Sequence, residues 1–297
     1  MKLPKEISIV EVVLRDGLQS ESNVLSVEEK LSILESILDS GINNIELTSF
    51  VHPKKVPQLA DAEILLEKVP WSDSITYSGI VPNMKGFERA LNTKLKEITV
   101  IISASESHNI ENINSSISQS LNELELVCKL AKNKEIKVRG EISVAFGCPF
   151  EGEISFKKLK YIINKLTGFG CFEIVLADTI GQANPLQVFD TFKNTYRAFP
   201  QIILAAHFHD ANNLALANIF AALQTGVSKF DSSLGGLGGC PFIPNAIGNV
   251  STEKLVHMMN KMQITTNVDI KKLIASIGLL EKLIKKNITI PPFLINS

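Results

Sequence analysis

Two histidines, His207 and His209, stand one residue apart at the end of the apolar run 202–206. An apolar run of that length between polar residues predicts a buried β-strand. Because side chains alternate along a strand, both imidazoles point to the same face, where they could bind one metal ion together. The same spacing also arises by chance, and a buried histidine is often only a hydrogen-bonded core residue. A metal site therefore requires further ligands.

Asp16 is the first candidate for a further ligand. It follows an apolar run and stands between Arg15 and Gly17, with Gln19 soon after. Asp-Gly by itself is a common turn signal. The neighbouring Arg15 and Gln19 favour instead a carboxylate that faces the metal. A carboxylate oxygen, two imidazoles and an amide or water oxygen suit Mg²⁺ or Mn²⁺ better than a structural zinc site, although imidazole also suits zinc.

The elements that must position these residues alternate between strands and helices. The predicted strands cover residues 7–13, 45–48, 75–80, 98–102, 138–145, 172–177, 202–208 and 230–234. Such alternation is typical of a parallel sheet, and eight strands are enough to close a barrel. The predicted fold class is α/β, a TIM (β/α)8 barrel with additional C-terminal helices. We expect a single catalytic domain over 1–297, with the barrel at roughly 7–250 and closing helices at roughly 251–297.

Helix signals lie between these strands. Residues 26–29, Ser-Val-Glu-Glu, form a capping box, and Gly41 stands where a left-handed stop is expected. Further helices are predicted over 117–131, after Pro185, and from Asn212 to Gly226. The apolar residues expected on one face are Leu31, Leu34 and Leu38 in the first helix and Ile117, Leu121, Leu124, Cys128 and Ala131 in the second. A basic amphipathic helix at 270–286 could bind a membrane or a partner, but we expect it to pack on its own domain.

Polar residues follow several of the predicted strands. Arg15 and Asp16 follow the first strand, Glu46 lies in the second, Asp178 follows the sixth, and the two histidines end the seventh. In an α/β barrel the active site lies at the carboxyl ends of the strands, where the βα loops meet. These side chains are therefore expected to converge on one mouth of the barrel.

A glycine-rich run, 235–239, follows the last predicted strand and leads into Cys240 and Pro241. It lacks the spacing of the dinucleotide fingerprint, and no Lys-Ser or Lys-Thr follows to make a Walker loop. Flexible glycine loops over a barrel mouth commonly act as lids. Cys240 is either an incidental thiol or, because the loop lies near cationic groups, a reactive one.

Composition excludes several classes of protein. The 297 residues carry a formal net charge of -1, so nothing attracts nucleic acid over a distance. The four cysteines, Cys128, Cys148, Cys171 and Cys240, are scattered, which predicts free thiols in a reducing cytoplasm. The amino terminus resembles neither a signal nor a transit peptide, and no apolar run is long enough to span a membrane.

Six motifs in order resemble the hydroxymethylglutaryl-CoA lyase family. They are Arg-Asp-Gly-Leu-Gln at 15–19, Ile-Glu-Leu-Thr-Ser-Phe-Val at 45–51, Gly-Cys-Pro-Phe-Glu-Gly at 147–152, Asp-Thr-Ile-Gly at 178–181, His-Phe-His-Asp at 207–210, and the run 235–241. The set extends over nearly the whole chain, which makes it far more specific than any single motif.

The resemblance implies a TIM barrel and a divalent-cation-dependent lyase that splits 3-hydroxy-3-methylglutaryl-CoA into acetyl-CoA and acetoacetate, a step of leucine degradation and ketone-body metabolism. It also implies a homodimer. By the same resemblance the cation, Mg²⁺ or Mn²⁺, is held by four residues, and four positions are otherwise functional. The cation ligands are Asp16, His207, His209 and Asn249, and the other positions are Arg15, Glu46, Asp178 and Cys240.

Retro-Claisen cleavage fits these residue types. Asp16 is expected to take the proton of the tertiary hydroxyl. Either one of the two histidines, His207 or His209, or Cys240 is expected to protonate the acetyl-CoA carbanion. Arg15 is expected to stabilise negative charge on the thioester oxygen.

The chain departs from the family pattern at 242–247 and at 211–214, which leaves the exact substrate open. The alternatives are a lyase for a related 3-hydroxy-acyl-CoA, and a Claisen-condensing synthase of the isopropylmalate or homocitrate synthase type. Synthase chains usually continue into further domains. A non-catalytic protein that binds a metal or an acyl-CoA is the third alternative.

Overall fold

A computed structural model describes residues 3–239 and 248–295 of the chain. Its centre is a closed barrel of eight parallel strands in sequence order, which confirms the predicted fold class. The strands are β1 Ser8–Glu11, β2 Asn44–Ser49, β3 Thr76–Val81, β4 Glu97–Ser103, β5 Lys137–Ser143, β6 Glu173–Asp178, β7 Ile203–Phe208 and β8 Lys229–Ser232.

Helices surround the barrel and follow it. They are α1 Val27–Asp39, α2 Ala62–Lys68, α3 Met84–Ala90, α4 Glu106–Ile113, α5 Ile117–Asn133, α6 Phe156–Phe169, α7 Pro185–Ala198, α8 Ala215–Leu223, α9 Thr252–Lys261, α10 Ile270–Ile284 and α11 Pro292–Ile295. Three short turns complete the set, a π-helical turn at Val13–Gly17 and 3₁₀ turns at Pro57–Leu59 and Leu234–Gly236. No helix among the described residues is long and apolar enough to cross a membrane.

Three predicted strands were too long at their carboxyl ends. β1 ends at Glu11, not at residue 13, because the chain turns into the π-helical turn, in which the Gly17 amide donates to the Val12 carbonyl. β5 ends at Ser143 because Val144 has a positive φ of 50°, which a strand does not accommodate. β8 ends at Ser232, just before a 3₁₀ turn. Each error falls where the chain leaves the sheet for the mouth of the barrel.

The start and stop signals of α1 are confirmed. The Ser26 hydroxyl accepts from the Glu29 amide at 3.2 Å, and the Glu29 carboxylate accepts from the Ser26 amide at 2.7 Å. Beyond the helix end Gly41 has a φ of +97°, and a Cβ there would lie 2.5 Å from the Asn267 carbonyl oxygen. A glycine is therefore required at this stop.

The predicted apolar stripes are partly confirmed. In α1 Leu34 is buried with Ile33 and Ile37, whereas Leu31 and Leu38 are only half-buried, so the buried face is turned from the one predicted. In α5 four of the five predicted positions are buried, and Ile117 packs against the core while partly exposed.

α10 packs against α1, with Ser276 donating a hydrogen bond to the Ser36 carbonyl at 3.1 Å. The prediction that this basic helix closes its own fold is therefore confirmed. The helix predicted from Asn212 to Gly226 is shorter and occupies Ala215–Leu223.

Candidate active site

The two histidines and Asp16 meet at the carboxyl end of the barrel. One oxygen of Asp16, Oδ2, lies 3.4 Å from His209 Nε2 and 3.9 Å from His207 Nε2. The imidazole centroids are 5.3 Å apart, as expected for side chains on the same face of β7. All three residues are buried, and one ligand atom from each lies within 4.8 Å of the others. The predicted convergence of these three residues is therefore present.

Asn249, which follows the last barrel strand in the sequence, also contacts this cluster. Its backbone pairs with His209 in an antiparallel bridge. Its side-chain Nδ2 donates to Asp16 Oδ2 at 2.6 Å and to the Leu237 carbonyl at 3.0 Å. Its Oδ1 is buried and finds no hydrogen-bond partner in the part of the chain that the structure describes. A buried oxygen without a hydrogen-bond partner is rare and requires an explanation, and a role as a cation ligand provides one.

The donor set fits a divalent cation. It offers a carboxylate oxygen, two imidazole nitrogens and the orphaned amide oxygen of Asn249. His207 Nδ1 lies 3.3 Å from Asp231 Oδ2. With its proton on that nitrogen, the imidazole leaves the Nε2 lone pair free for the cation, which is the usual arrangement behind a ligating histidine.

Arg15 lies beside the cluster and is held from two directions. Its Nε donates to Glu46, its Nη1 donates to Asp16, and Glu46 in turn accepts from Thr99 Oγ1 at 2.9 Å. The third nitrogen, Nη2, is buried and has no hydrogen-bond partner in residues 3–239 and 248–295. Glu46 therefore fixes the guanidinium, and one arm remains free for a ligand.

The charges of the site act strongly on Asp16. Burial alone would raise the pKa of Asp16, but the charge of Arg15 and the hydrogen bond and charges from the two histidines outweigh it and hold this pKa well below its ordinary value. Burial would lower the pKa of His207, yet the hydrogen bond to Asp231 and the nearby carboxylates leave that pKa raised. Asp16 is thus an anion at neutral pH, which suits a cation ligand.

Asp178 lies close to the cluster but its carboxylate is engaged elsewhere. It accepts hydrogen bonds from the Gln182 and Ala183 amides at 3.1 and 2.9 Å, and its carbonyl accepts from the His209 amide at 3.3 Å. Burial raises its pKa, and those two amide bonds partly offset the effect. Asp178 therefore orders the loop after β6. Cys240, the remaining predicted site residue, lies outside the described residues.

The described part of the glycine run, 235–239, lies beside the site, and the expectation that the run acts as a flexible lid stays a prediction. The Leu234 amide donates to Glu11 Oε1 at 2.9 Å, and the Gly235 amide donates to Glu253 at 3.1 Å. Gly238 has a φ of +115°, and a Cβ there would lie 2.5 Å from Asn249 Nδ2. The glycine at this position lets the backbone approach Asn249 closely. Residues 240–247 lie outside the described part of the chain.

Sequence reasoning missed Glu141, Asp231 and Arg139. Glu141 on β5 faces the same cavity as Arg15 and the histidines. Asp231 on β8 contacts His207 and accepts hydrogen bonds from Arg139, which lies on β5. The available signal was the presence of charged residues within predicted barrel strands, because such a residue is rarely buried unless it is paired or functional.

A cavity of about 360 Å³ opens above the cluster. Asp16, the two histidines, Arg15 and Glu141 line it, together with Gln19, Lys55, His108 and Asn112. The cavity exposes three of the four predicted cation ligands, Asp16 and the two histidines, together with Arg15 to one small ligand.

Comparison with known proteins adds to this geometry. The HMGL-like family model matches residues 6–279. The chain is 44% identical to the mitochondrial hydroxymethylglutaryl-CoA lyase of Arabidopsis thaliana over 92% of its own length, and it spans 58% of the length of that relative. It is 41% identical to the hydroxymethylglutaryl-CoA lyase YngG of Bacillus subtilis over 95% of this chain and 94% of that one.

One further relative and one solved structure are similar to this chain. The chain is 39% identical to the 3-hydroxy-3-isohexenylglutaryl-CoA/hydroxy-methylglutaryl-CoA lyase of Pseudomonas aeruginosa, over 92% of this chain and 91% of that one. The crystal structure of the Bacillus subtilis HMG-CoA lyase superposes with a TM-score of 0.95 at 40% identity, covering 99% of this chain and 98% of that one.

Proposed function

Since the chain belongs to the hydroxymethylglutaryl-CoA lyase family, we propose that it cleaves 3-hydroxy-3-methylglutaryl-CoA into acetyl-CoA and acetoacetate. The observation that carries this proposal is the meeting of Asp16, His207, His209 and Asn249 beside the free arm of Arg15. These residues come from three separate parts of the sequence, and a barrel without this chemistry has no need to bring them together.

Asp16, His207, His209 and Asn249 are the residues proposed to hold the cation, Mg²⁺ or Mn²⁺. When bound, the cation supplies a positive charge that lowers the pKa of the substrate hydroxyl and fixes its orientation. Asp231 supports this assignment because its contact with His207 Nδ1 orients the imidazole.

Arg15 is proposed to stabilise the negative charge that develops on the thioester oxygen as the carbon–carbon bond breaks. Its Nη2 has no hydrogen-bond partner among the residues that the structure describes, and Glu46 and Asp16 fix the other two nitrogens. A donor that is already oriented needs no rearrangement in the transition state, which makes its charge more effective. Glu46 is thus proposed as a positioning residue for Arg15.

Cleavage also requires two proton transfers, one from the substrate hydroxyl and one to the acetyl-CoA carbanion. A carboxylate whose pKa lies far below the working pH is a weak proton acceptor, so the environment of Asp16 supports a ligand role better than the base role predicted for it. The acid that protonates the acetyl-CoA carbanion is proposed to be one of the histidines or Cys240. Asp178 is proposed to act through the loop that it orders.

A related 3-hydroxy-acyl-CoA is the alternative substrate. The relative from Pseudomonas aeruginosa is named for a longer, branched acyl group as well as for hydroxymethylglutaryl-CoA. The departures at 242–247 fall next to the site in sequence but outside the described residues. A homodimer, a cytoplasmic location and a single catalytic domain over the whole chain remain proposals that rest on the family and the sequence.

The direct test is an assay on purified, metal-stripped protein. We expect acetoacetate to form from 3-hydroxy-3-methylglutaryl-CoA only after Mg²⁺ or Mn²⁺ is added. Cleavage without added cation would contradict the role of the metal. A failure to form acetoacetate with the cation would contradict the lyase proposal, and the same assay with acetyl-CoA and a 2-oxo acid tests the synthase alternative.

A further inference from the structure

Glu141 is a buried carboxylate in the active-site cavity that has no role in the proposed cleavage reaction. It lies on β5, opposite Ile101 of β4 and Val175 of β6, and its side chain is only 9% exposed. Its Oε2 is buried and has no hydrogen-bond partner among the described residues. Unsatisfied buried carboxylate oxygens are rare because desolvation is not compensated there, so a ligand contact is the natural explanation.

The nearest free donor is part of the same cavity. Arg15 Nη2 lies 4.0 Å from Glu141 Oε2, which is too far for a direct hydrogen bond, and within the described part of the chain it too has no hydrogen-bond partner. Arg15 already has two carboxylate partners, Glu46 and Asp16. Glu141 is therefore not needed to neutralise the guanidinium. The cavity presents a free donor and a free acceptor side by side.

This arrangement matches one unit of the proposed substrate. In a 3-hydroxythioester the thioester oxygen can only accept a hydrogen bond, whereas the hydroxyl can donate one. Three carbon atoms separate the two oxygens, so they can lie next to each other and face the same wall. We propose that Glu141 Oε2 accepts the hydrogen bond of the substrate 3-hydroxyl while Arg15 Nη2 donates to the thioester oxygen. This inference rests on the proposed function and adds Glu141 to the substrate-binding residues.

The pair makes the site specific for acyl-CoA molecules that carry a 3-hydroxyl. A ligand without that hydroxyl leaves Glu141 without a donor, and a site built to bind a hydroxyl discriminates strongly against analogues that lack it. Burial also raises the pKa of Glu141, with the charges of His207 and Arg15 partly offsetting this effect. A carboxylate in such surroundings gains more from a hydrogen-bond donor than an exposed one does.

The test compares Glu141→Leu and Glu141→Gln with the wild type in the cation-loaded enzyme. The kcat/KM for 3-hydroxy-3-methylglutaryl-CoA is measured together with the inhibition constant of 3-methylglutaryl-CoA, which lacks the hydroxyl. We expect Glu141→Leu to lower kcat/KM by about 10- to 100-fold, as for loss of a hydrogen bond to a charged group, and to change the inhibition constant little. Glu141→Gln keeps an acceptor oxygen and is expected to retain more activity.

A matched control is Glu97→Leu, which places leucine at another buried barrel glutamate. Glu97 begins β4 and lines a cleft with Trp71 and Lys94, apart from the residues of the active-site cavity. We expect it to leave kcat/KM close to that of the wild type.

Three results would overturn the inference. They are unchanged kcat/KM in Glu141→Leu, an equal loss for both ligands, and a parallel loss of Mn²⁺ affinity, which would assign Glu141 to the cation. If the wild type forms no acetoacetate, the proposed function has failed instead. In that case the affinities of 3-hydroxybutyryl-CoA and butyryl-CoA, measured by calorimetry, still test the role of Glu141. We expect Glu141→Leu to abolish any preference for the hydroxylated ligand.

Discussion

At Arg15, two of the three guanidinium nitrogens are fixed by carboxylates, and the third is buried without a hydrogen-bond partner from any described residue. The type and place of this residue followed from its motif and from the end of the first predicted strand. The free nitrogen did not, because it depends on Glu46 and Thr99 reaching across from other strands. A sequence motif thus indicates which residue acts but not which of its atoms remains available.

Replacement of Arg15 by glutamine tests its proposed role. We expect Arg15→Gln to keep cation and substrate binding and to lower kcat by about 10²- to 10³-fold, since a fixed donor to the developing oxyanion is lost. Steady-state kinetics and Mn²⁺ binding measure the two effects. Arg197→Gln, at an exposed position on α7, is the control. An unchanged kcat in Arg15→Gln would remove this residue from the mechanism.

Glu11 shows a second residue whose role was hidden in the sequence. It lies in β1, its Oε1 accepts from the Val13 and Leu234 amides, and its Oε2 accepts from Thr252. Burial raises its pKa from 4.5 to about 7, although the three hydrogen bonds oppose this. The residue ties the turn that carries Asp16 to the start of the glycine run.

The raised pKa of Glu11 predicts a pH-dependent stability. The folded state binds this proton more tightly than the unfolded state, so the stabilisation is complete below about pH 4.5 and is lost as the pH rises to about 7. In Glu11→Gln the amide can donate to Thr252 and accept from the two backbone amides. We expect the free energy of unfolding of Glu11→Gln, relative to that of the wild type, to increase by roughly 3 kcal/mol between pH 4.5 and 8.

Urea unfolding of both proteins over that pH range measures the difference. Glu125→Gln, at an exposed position on α5, controls for the loss of a carboxylate. A constant difference between wild type and Glu11→Gln across the range would contradict the assigned cause.

At the scale of the elements, the number and order of the strands were predictable because buried parallel strands are short apolar runs separated by helices. Their carboxyl ends were not. The π-helical turn at Val13–Gly17 and the left-handed Val144 depend on long-range contacts that local propensity does not contain. The buried face of α1 was misplaced for a related reason, since the packing of α10 against it decides which leucines are covered.

The glycine run offers a prediction at this scale. A Cβ at position 238 would strike Asn249 Nδ2, and the backbone there has a positive φ. We expect Gly238→Ala to displace Asn249, to weaken Mn²⁺ binding and to lower activity at least 10-fold, about the effect of a lost hydrogen bond. Gly278→Ala, within α10 and with no atom within 4 Å of the added Cβ, should instead stabilise the protein by about 0.5–1 kcal/mol. Wild-type activity and cation binding in Gly238→Ala would contradict this role.

At the scale of the whole molecule, the barrel brings together residues separated by more than two hundred positions, as in the contact of Asp16 with Asn249. The two histidines and Asp16 were predictable from the rule that strand ends share one mouth. Asp231 and Glu141 were missed because that rule does not say which residues inside a strand face the cavity until the register is known.

A site assembled from distant parts of the chain links cation binding to folding. The four proposed cation ligands are not held together in the unfolded chain, so Mn²⁺ at about 100 times its Kd should stabilise the fold by about 2.7 kcal/mol. Thermal unfolding with and without Mn²⁺ measures this shift. We expect it to disappear in Asp16→Asn and to persist in Asp190→Asn on α7. A shift of equal size in both variants would place the cation elsewhere.

The central claim is that Asp16, His207, His209 and Asn249 bind one cation on which cleavage depends. The most direct measurement titrates Mn²⁺ into metal-stripped protein and follows the number of ions bound per chain together with acetoacetate formation. We predict that one tightly bound Mn²⁺ per chain restores full activity in the wild type, and that His209→Ala loses both the bound ion and the activity. Full activity in His209→Ala, or activity that rises without a bound ion, would contradict the claim.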